Sequence, residues 1–252
     1  MRDPRFTDCL RVEDESALAY GPLEQTGSSL GAGNSTCAAR WDYSLPVIRL
    51  HYYPGNASLA PHMLLRELAL PFELCLVDRR QDAQQSAEYL RLNPNGRIPT
   101  LVDGDLVLWE AAAICLHLLD RHAQRMPSPA LGTPERAQLY KWLFWLSNTL
   151  QPELMTRAYP ERWSTLATDE VVTRSCTRLD AMFDLAEAAL DPYLLGARFS
   201  AVDLYFLMLC LWGRAMPNPP QSRPRTARLM AELLARPAVQ AALAAERAAL
   251  PV

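Results

Sequence analysis

The sequence lacks any apolar run long enough to cross a membrane. Its longest one, residues 204–212, falls far short of the about 20 residues that a membrane-spanning helix needs. It also lacks a long run of Lys and Arg, and its formal net charge is −3 at pH 7. Nucleic acids and anionic membranes attract basic patches. The composition therefore argues against nucleic acid and membrane as partners.

Motifs for metals and for paired thiols are missing as well. The four histidines show no HExxH or similar spacing, so we expect no metal site. The six cysteines are far apart and form no C-x-x-C pair, which predicts free thiols in a reducing compartment, that is, a cytoplasmic protein. They are Cys9, Cys37, Cys75, Cys115, Cys176 and Cys210.

Residues 1–45 lack the periodicity of a folded segment. They are rich in Gly, Ser and Thr, and they contain no apolar stretch typical of a secretory signal peptide. We expect either a disordered tail or a wrongly assigned translation start. The next segments differ: residues 47–52 and 72–77 alternate apolar and polar residues as half-buried strands do, and a helical pattern lies between them.

The most informative stretch is 93–118. Asn95-Gly96 favours a turn, and residues 98–102 form a short apolar strand in which Pro99 should lie near the start, because proline has no N–H. Residues 103–105 predict a tight hairpin, 106–109 the returning strand, and Glu110 the opening of a helix. With a weaker helix at 83–92, the predicted order is β-α-β-α-β-β-α.

Everything after the proline-rich segment 127–132 is predicted to be helical. Thr133-Pro134 is typical of an N-cap followed by proline in the first turn, and this helix should reach Leu150, with a kink or a new start at Pro152. Further helices are expected at 168–190, 226–236 and 238–250. Ser200 and Asp203 have the spacing of a capping box at the start of another helix.

This order resembles the glutathione S-transferase family. The matching residues are Asn93-Pro94, Ile98-Pro99 and Glu110-Ala111, together with the loop 50–62, which resembles the bacterial beta-type pattern. Two departures stand out: Ala57 lies where the beta-type enzymes have cysteine, and Ala111 lies where the family usually has a hydroxyl.

The resemblance implies an α/β plus all-α fold, with a thioredoxin-like domain followed by a helical-bundle domain. The expected boundaries are 46–123 for the glutathione-binding domain, 124–133 for a linker and 134–252 for the helical domain. It implies a transferase that activates the thiolate of glutathione against a small hydrophobic electrophile. Glutathione would be a co-substrate with no tightly bound cofactor, and the family usually forms homodimers.

The resemblance also implies roles for residues after the first strand. We expect Ser58 or Asn56 to donate a hydrogen bond to the thiolate, with Tyr52 in support, because hydrogen bonds to the charged form lower a thiol pKa. Ser58 as an ordinary N-cap and Tyr52 as a packed side chain are open alternatives. The absence of cysteine at Ala57 argues against cysteine-linked chemistry.

The rest of the glutathione site is expected to use mainly backbone groups. Ile98, before an inferred cis Pro99, would pair like a strand with the cysteinyl part of glutathione. The γ-glutamyl carboxylate would lie at the helix N-terminus at Glu110 and Ala111, and Arg97 would reach a carboxylate or remain solvated.

The helical domain should provide the electrophile site. Candidates are Tyr140, Phe144 and Tyr159, and core packing or a dimer contact is the alternative. A glutathione-dependent isomerase, dehalogenase, peroxidase or disulfide-bond reductase also fits the fold, as does a non-catalytic binding or regulatory protein.

Overall fold

The first half of the protein is built on a four-stranded mixed sheet. In this computed structural model, which describes residues 47–248, the strands are β1 (Ile48–Tyr52), β2 (Phe72–Leu76), β3 (Thr100–Asp103) and β4 (Leu106–Trp109). Their spatial order is β2-β1-β3-β4, with β1 and β2 parallel and the other two pairs antiparallel. This is the predicted thioredoxin-like layer.

Three helices complete this layer: α1 (Leu59–Glu67), α2 (Ala87–Leu92) and α3 (Ala111–Arg121). The sequence places the second of them too early. Residues 83–85 form only a short 3-10 turn, and α2 begins after Ser86, whose hydroxyl accepts the N–H of Tyr89. A serine in this position satisfies one of the free N–H groups of a first helical turn and so fixes the start of the helix.

The hairpin forms where it was expected. Gly104, in the turn between β3 and β4, has φ +60°, which glycine adopts without steric cost. The Ile98–Pro99 peptide bond is cis, as inferred. Strand β3 begins only at Thr100, two residues later than predicted.

The second half is helical throughout. Its long elements are α4 (Pro134–Trp145), α5 (Gln151–Ala158), α6 (Thr168–Ala189), α7 (Ala201–Gly213), α8 (Pro224–Leu234) and α9 (Pro237–Ala248). Helix α4 begins as predicted, with the Thr133 hydroxyl accepting the N–H of Arg136. It then continues through a π-helical segment, Leu146–Leu150, directly into α5. Pro152 is accommodated in the first turn of α5, so the chain neither stops nor reverses there.

Helix α7 is the centre of the helical half. Every residue from Ala201 to Gly213 is buried. The predicted capping box at its start is present: the Asp203 carboxylate accepts the N–H of Ser200 at 2.8 Å, and the Ser200 hydroxyl accepts the N–H of Val202 at 3.2 Å.

The two halves are packed against each other through α1, which contacts both α7 and α9. A bidentate ion pair between Arg236 and Glu67, with N–O distances of 2.6 and 2.8 Å, adds to this contact. The boundaries 46–123 and 134–252 stay predictions; in the structure α3 ends at Arg121 and α4 begins at Pro134.

Several further predictions concern features of the whole chain. Within residues 47–248 no helix is long and apolar enough to cross a membrane, and no group of His, Cys, Asp and Glu side chains is arranged to hold a metal ion. Cys75, Cys115, Cys176 and Cys210 are free thiols. The interpretation of residues 1–45, like Cys9 and Cys37 within them, lies outside the described residues.

Candidate functional site

A cleft of about 770 Å³ lies between the sheet layer and the helical half. Its first wall consists of the loop after β1, the turn after β2, the loop before β3 and Glu110. The second wall comes from Ser147 in the π-helical segment, from α5, from the turn after it and from Trp212 of α7. Of the predicted site residues, those that line the cleft are Asn56, Arg97, Ile98, Glu110 and Tyr159.

The loop after β1 is held by the helical half at Gly55. The Gly55 N–H donates to Oε2 of Glu246 at 2.9 Å, and the Gly55 carbonyl accepts from Nε1 of Trp212 at 2.9 Å. Glu246 lies on α9 and Trp212 on α7. Both backbone groups of one cleft residue are therefore fixed by side chains that lie more than 150 positions later in the sequence.

Glu246 is part of a buried chain of hydrogen bonds. Its Oε1 lies 3.0 Å from Nδ1 of His62, and both side chains are fully buried. On the other side of the ring, Nε of Arg66 donates to Nε2 of His62 at 3.1 Å. Because Nε2 accepts, the proton of the neutral imidazole lies on Nδ1, so both oxygens of Glu246 act as acceptors.

Two of the predicted catalytic residues do not line the cleft. Ser58 is 0% exposed, and its hydroxyl donates to the carbonyl of Tyr53 at 3.1 Å while accepting the Tyr53 N–H at 3.4 Å. The structure therefore supports neither the prediction that Ser58 faces the thiolate nor its alternative as an N-cap, because the side chain does not line the cleft and makes no capping hydrogen bond to α1. The hydroxyl instead forms hydrogen bonds within its own loop, to the backbone of Tyr53.

Tyr52 is also turned inward. It is 5% exposed, its ring makes an edge contact with His62 at 6.3 Å, and it does not line the cleft. Burial, and then the nearby Glu246 carboxylate, raise the pKa of the Tyr52 hydroxyl, so it stays protonated. The packed tyrosine is the alternative that the structure supports.

Asn56 is the predicted thiolate donor that does line the cleft. Its Oδ1 accepts from Nη1 of Arg79 at 3.3 Å, so the two N–H bonds of its amide are left to face a ligand. Arg79 lies over the Tyr53 ring, with 5.9 Å between the guanidinium carbon and the ring centroid. The loop therefore presents an oriented amide donor with a cation beside it.

The loop before β3 is fixed through the carbonyl of Arg97. This oxygen accepts from the hydroxyl of Tyr89 at 2.7 Å and from Nδ2 of Asn93 at 2.8 Å, and the Tyr89 hydroxyl also contacts Oγ1 of Thr100 at 2.9 Å. Tyr89, Asn93 and Thr100 are all buried. Arg97 and Ile98 line the cleft, whereas Pro99 is buried and does not.

Glu110 has an unusual backbone conformation, with φ +75° and ψ +113°. It is the N-cap of α3 rather than part of the first turn, and its own side chain makes no capping hydrogen bond to the N-terminal N–H groups of this helix. A non-glycine residue at positive φ costs free energy and is typical of functional sites. Ala111, the first residue of α3, is 4% exposed, so only its backbone N–H is positioned to serve a ligand.

The helical wall differs from the prediction. Tyr159 lines the cleft, but Tyr140 and Phe144 do not. Tyr140 is packed against the core with the Arg136 guanidinium over its ring, and Phe144 is 55% exposed elsewhere on the surface. The reason is geometric: the π-helical segment and α5 form the cleft wall, whereas both aromatic residues lie on α4, before it.

Sequence reasoning missed several functional candidates. Gly55, Arg79, Gln151, Arg162 and Trp212 all line the cleft. Gly55 could have been predicted, because its position in the loop directly after a strand is typical of residues that line a binding site. Nothing in the sequence pattern distinguishes Trp212 from its apolar neighbours on α7.

Comparisons with known proteins agree with this geometry. A sequence model described as "Glutathione S-transferase, N-terminal domain" matches residues 46–120. The chain is 34% identical over 193 residues to glutathione S-transferase GstB of Escherichia coli K12, covering 71% of this chain and 88% of the relative.

Two solved structures have a similar fold. A glutathione transferase from Methylococcus capsulatus is 32% identical with a TM-score of 0.69, and the match covers 80% of this chain and 100% of that one. A sphingomonad glutathione S-transferase complexed with glutathione is 28% identical with a TM-score of 0.70, over 80% and 100% of the two chains. The chain belongs to the glutathione S-transferase family.

Proposed function

We propose that the protein is a glutathione transferase in which the cleft binds glutathione and activates its thiolate for attack on an electrophile. The observation that carries the proposal is the convergence on one cleft of Asn56, Ile98 and the N-terminus of α3 at Glu110, whose side chain does not cap that helix. A relative of the same fold is complexed with glutathione. The proposal includes a cytoplasmic location, in keeping with the four free thiols.

Each part of glutathione has a matching group. The backbone of Ile98 would pair with the cysteinyl residue as an added strand does. The γ-glutamyl carboxylate would accept from the free N–H groups at the start of α3, and the Glu110 carboxylate would face the ammonium group. Ala111 offers no hydroxyl. One hydrogen bond to a charged group contributes about 1.5–3 kcal/mol, so we expect about tenfold weaker binding, or weaker still, than with serine at this position.

The thiolate donor in this proposal is Asn56, with Arg79 beside it. An amide N–H and a nearby cation both favour the charged form of a thiol, whose ordinary pKa is about 8.5. Cysteine-linked chemistry is not part of the proposal, because Ala57 takes the place of the cysteine and none of the free thiols in the described residues lines the cleft.

The test is calorimetric titration with reduced glutathione, combined with the pH dependence of conjugation. We expect binding in the micromolar to low millimolar range, and we expect Asn56→Ala to shift the kinetic thiol pKa upward with a smaller effect on affinity. Ser58→Ala is the matched control and should leave that pKa unchanged. Absence of binding up to ten millimolar glutathione would refute the proposal and favour a non-catalytic role. An unchanged pKa in Asn56→Ala would remove Asn56 from the mechanism.

A homodimer is also part of the proposal. Edge strand β4 exposes Leu106, Val107 and Trp109, each between 38% and 40%. Exposed apolar residues on an edge strand promote unwanted pairing unless another surface covers them. Light scattering after size exclusion should give twice the 28.3 kDa chain mass, and Trp109→Glu should shift it toward the monomer; a monomeric wild type would contradict this part.

A further inference from the structure

The cleft carries positive charge in a chain that is acidic overall. Among the residues that the structure describes, Arg79, Arg97 and Arg162 line it together with one acidic residue, Glu110, although the whole chain has a net charge of −3. Within residues 47–248, none of the three guanidinium groups forms an ion pair with a carboxylate. Unpaired cations in a concave site raise the local concentration of anionic ligands.

Two of these three arginines can be assigned to the binding of glutathione. Its two carboxylates and its thiolate are negative, and Arg79 and Arg97 belong to the same wall as Asn56 and Ile98. Arg162 belongs to the opposite wall, in the turn Pro160–Arg162 that follows α5. This arginine therefore faces the space left for the second substrate.

The Arg162 guanidinium is supported by an aromatic ring. Its central carbon lies 4.1 Å from the centroid of Tyr159, whose side chain is almost fully buried. Such stacking fixes the plane of the guanidinium while its N–H groups, which point outward along its edge, stay available to a carboxylate. Trp163, the next residue, also lines the cleft and is 69% exposed, so a broad apolar surface adjoins the cation.

Gln151 adds a second donor on the same wall. Its Oε1 accepts from the hydroxyl of Tyr205 at 2.5 Å, and Tyr205 is 1% exposed. Because the oxygen is occupied by this buried hydroxyl, the amide N–H groups remain as donors for the cleft that Gln151 lines. The wall thus offers a cation, an amide donor and an exposed indole.

From this arrangement we infer that the second substrate is a planar anionic electrophile: an aromatic or conjugated ring that bears a carboxylate or sulfonate. Arg162 binds the anionic group with two parallel hydrogen bonds, and the ring packs on Trp163. The amide of Gln151 donates to a further acceptor on the ring. This inference rests on the proposed function and narrows the hydrophobic electrophile to a charged class.

A suitable probe is 4-chloro-3,5-dinitrobenzoate. The glutathione sulfur attacks the ring carbon that bears chlorine and forms the C–S bond. The C–Cl bond then breaks, chloride leaves with the bonding electron pair, and the thiol proton goes to solvent. The methyl ester of the same compound reacts by the same step and lacks the negative charge. Its more electron-withdrawing substituent changes the intrinsic rate, but this difference cancels when variants are compared, so the ester serves as the neutral reference substrate.

The experiment compares kcat/KM for the acid and the ester in the wild type and in Arg162→Gln. A lost hydrogen bond to a charged group is worth about 1.5–3 kcal/mol, so we expect a tenfold to hundredfold loss for the acid, mainly in KM, and less than a twofold change for the ester. Arg162→Lys should recover part of the preference, and Trp163→Ala should raise KM for both substrates. Arg174→Gln is the control, because Arg174 is paired with Glu170 and does not line the cleft.

A binding measurement keeps the test independent of transfer activity. Titration with 3,5-dinitrobenzoate, which has no leaving group, should show at least tenfold weaker binding to Arg162→Gln than to the wild type, with no such difference for its methyl ester. Equal losses for acid and ester, or equal losses in Arg162→Gln and Arg174→Gln, would overturn the inference. Failure of the proposed function would be visible separately, as absence of glutathione binding in the wild type.

Discussion

Glu246→Gln is the substitution that tests most directly how the helical half supports the cleft. In the wild type both carboxylate oxygens accept, one from the Gly55 N–H at 2.9 Å and the other from Nδ1 of His62 at 3.0 Å. Glutamine has the same shape but only one oxygen, so its NH₂ must face one of these two donors. All of these groups are buried. A buried donor without an acceptor costs about 1–3 kcal/mol.

The expected effect is measurable in two ways. For a chain of this size, a loss of 1 kcal/mol lowers Tm by about 2–4 °C, so a loss of about 2 kcal/mol should lower it by about 4–8 °C. Urea unfolding should give the same free energy. We also expect weaker glutathione binding, because Gly55 lies next to Asn56 in the cleft wall.

Glu67→Gln is the matched control. It removes another carboxylate at the contact between the two halves, the partner of Arg236, but touches no residue of the cleft. It should lower stability by about 1 kcal/mol or less, as partly exposed pairs do, and leave glutathione affinity unchanged. If Glu246→Gln is within about 0.5 kcal/mol of the wild type, or both variants weaken glutathione binding equally, the reasoning from donors and acceptors is refuted.

Three further predictions follow from single groups. Trp212→Phe removes the donor to the Gly55 carbonyl and should cost about 1–2 kcal/mol in urea unfolding; an unchanged midpoint would contradict it. Glu110→Gly relieves the positive φ and should raise Tm slightly, because strain at such a residue costs about 1–3 kcal/mol; a lower Tm would argue against strain. The same variant should bind glutathione more weakly, because it lacks the carboxylate proposed to face the ammonium group. Burial, and then Arg49, lower the pKa of His51 to about 4. The unfolded state therefore binds more protons between about pH 6.5 and 4, and the wild type should lose up to about 3 kcal/mol on acidification through this window. His51→Gln should not show this loss, and parallel pH profiles of the two proteins would refute it.

Much of the fold follows from local sequence signals. The hairpin at Gly104, the N-cap at Thr133 and the capping box at Ser200 all form as predicted, because each depends on residues within a few positions. The start of α2 was missed although its signal is also local, since the Ser86 hydroxyl accepts the N–H of Tyr89 three residues later. Pro152 lies in the first turn of α5, one of the two positions expected for it, but no simple period reveals the π-helical segment before it.

The cleft was harder to predict than the fold. Asn56, Arg97, Ile98 and Glu110 were found because the family pattern places them in sequence, but the direction of a side chain is set by its loop. Ser58 shows this: a hydroxyl at a helix start is a good donor candidate, yet its loop folds so that the hydroxyl contacts Tyr53. Aromatic composition was also misleading at Tyr140 and Phe144, because apolar residues that line pockets also build cores and surfaces.

The contacts at Gly55 show that the first wall of the cleft depends on the helical half. The loop after β1 belongs to the sheet layer, but its N–H and its carbonyl are paired with Glu246 and Trp212 rather than with sheet residues. Without these partners, the backbone groups of Gly55 would need other hydrogen-bond partners, and the loop would be free to take another course. The orientation of Asn56, one residue further on, is therefore a property of the assembled protein. A match to the N-terminal family model identifies the residues of this wall, whereas docking of α7 and α9 gives them their geometry.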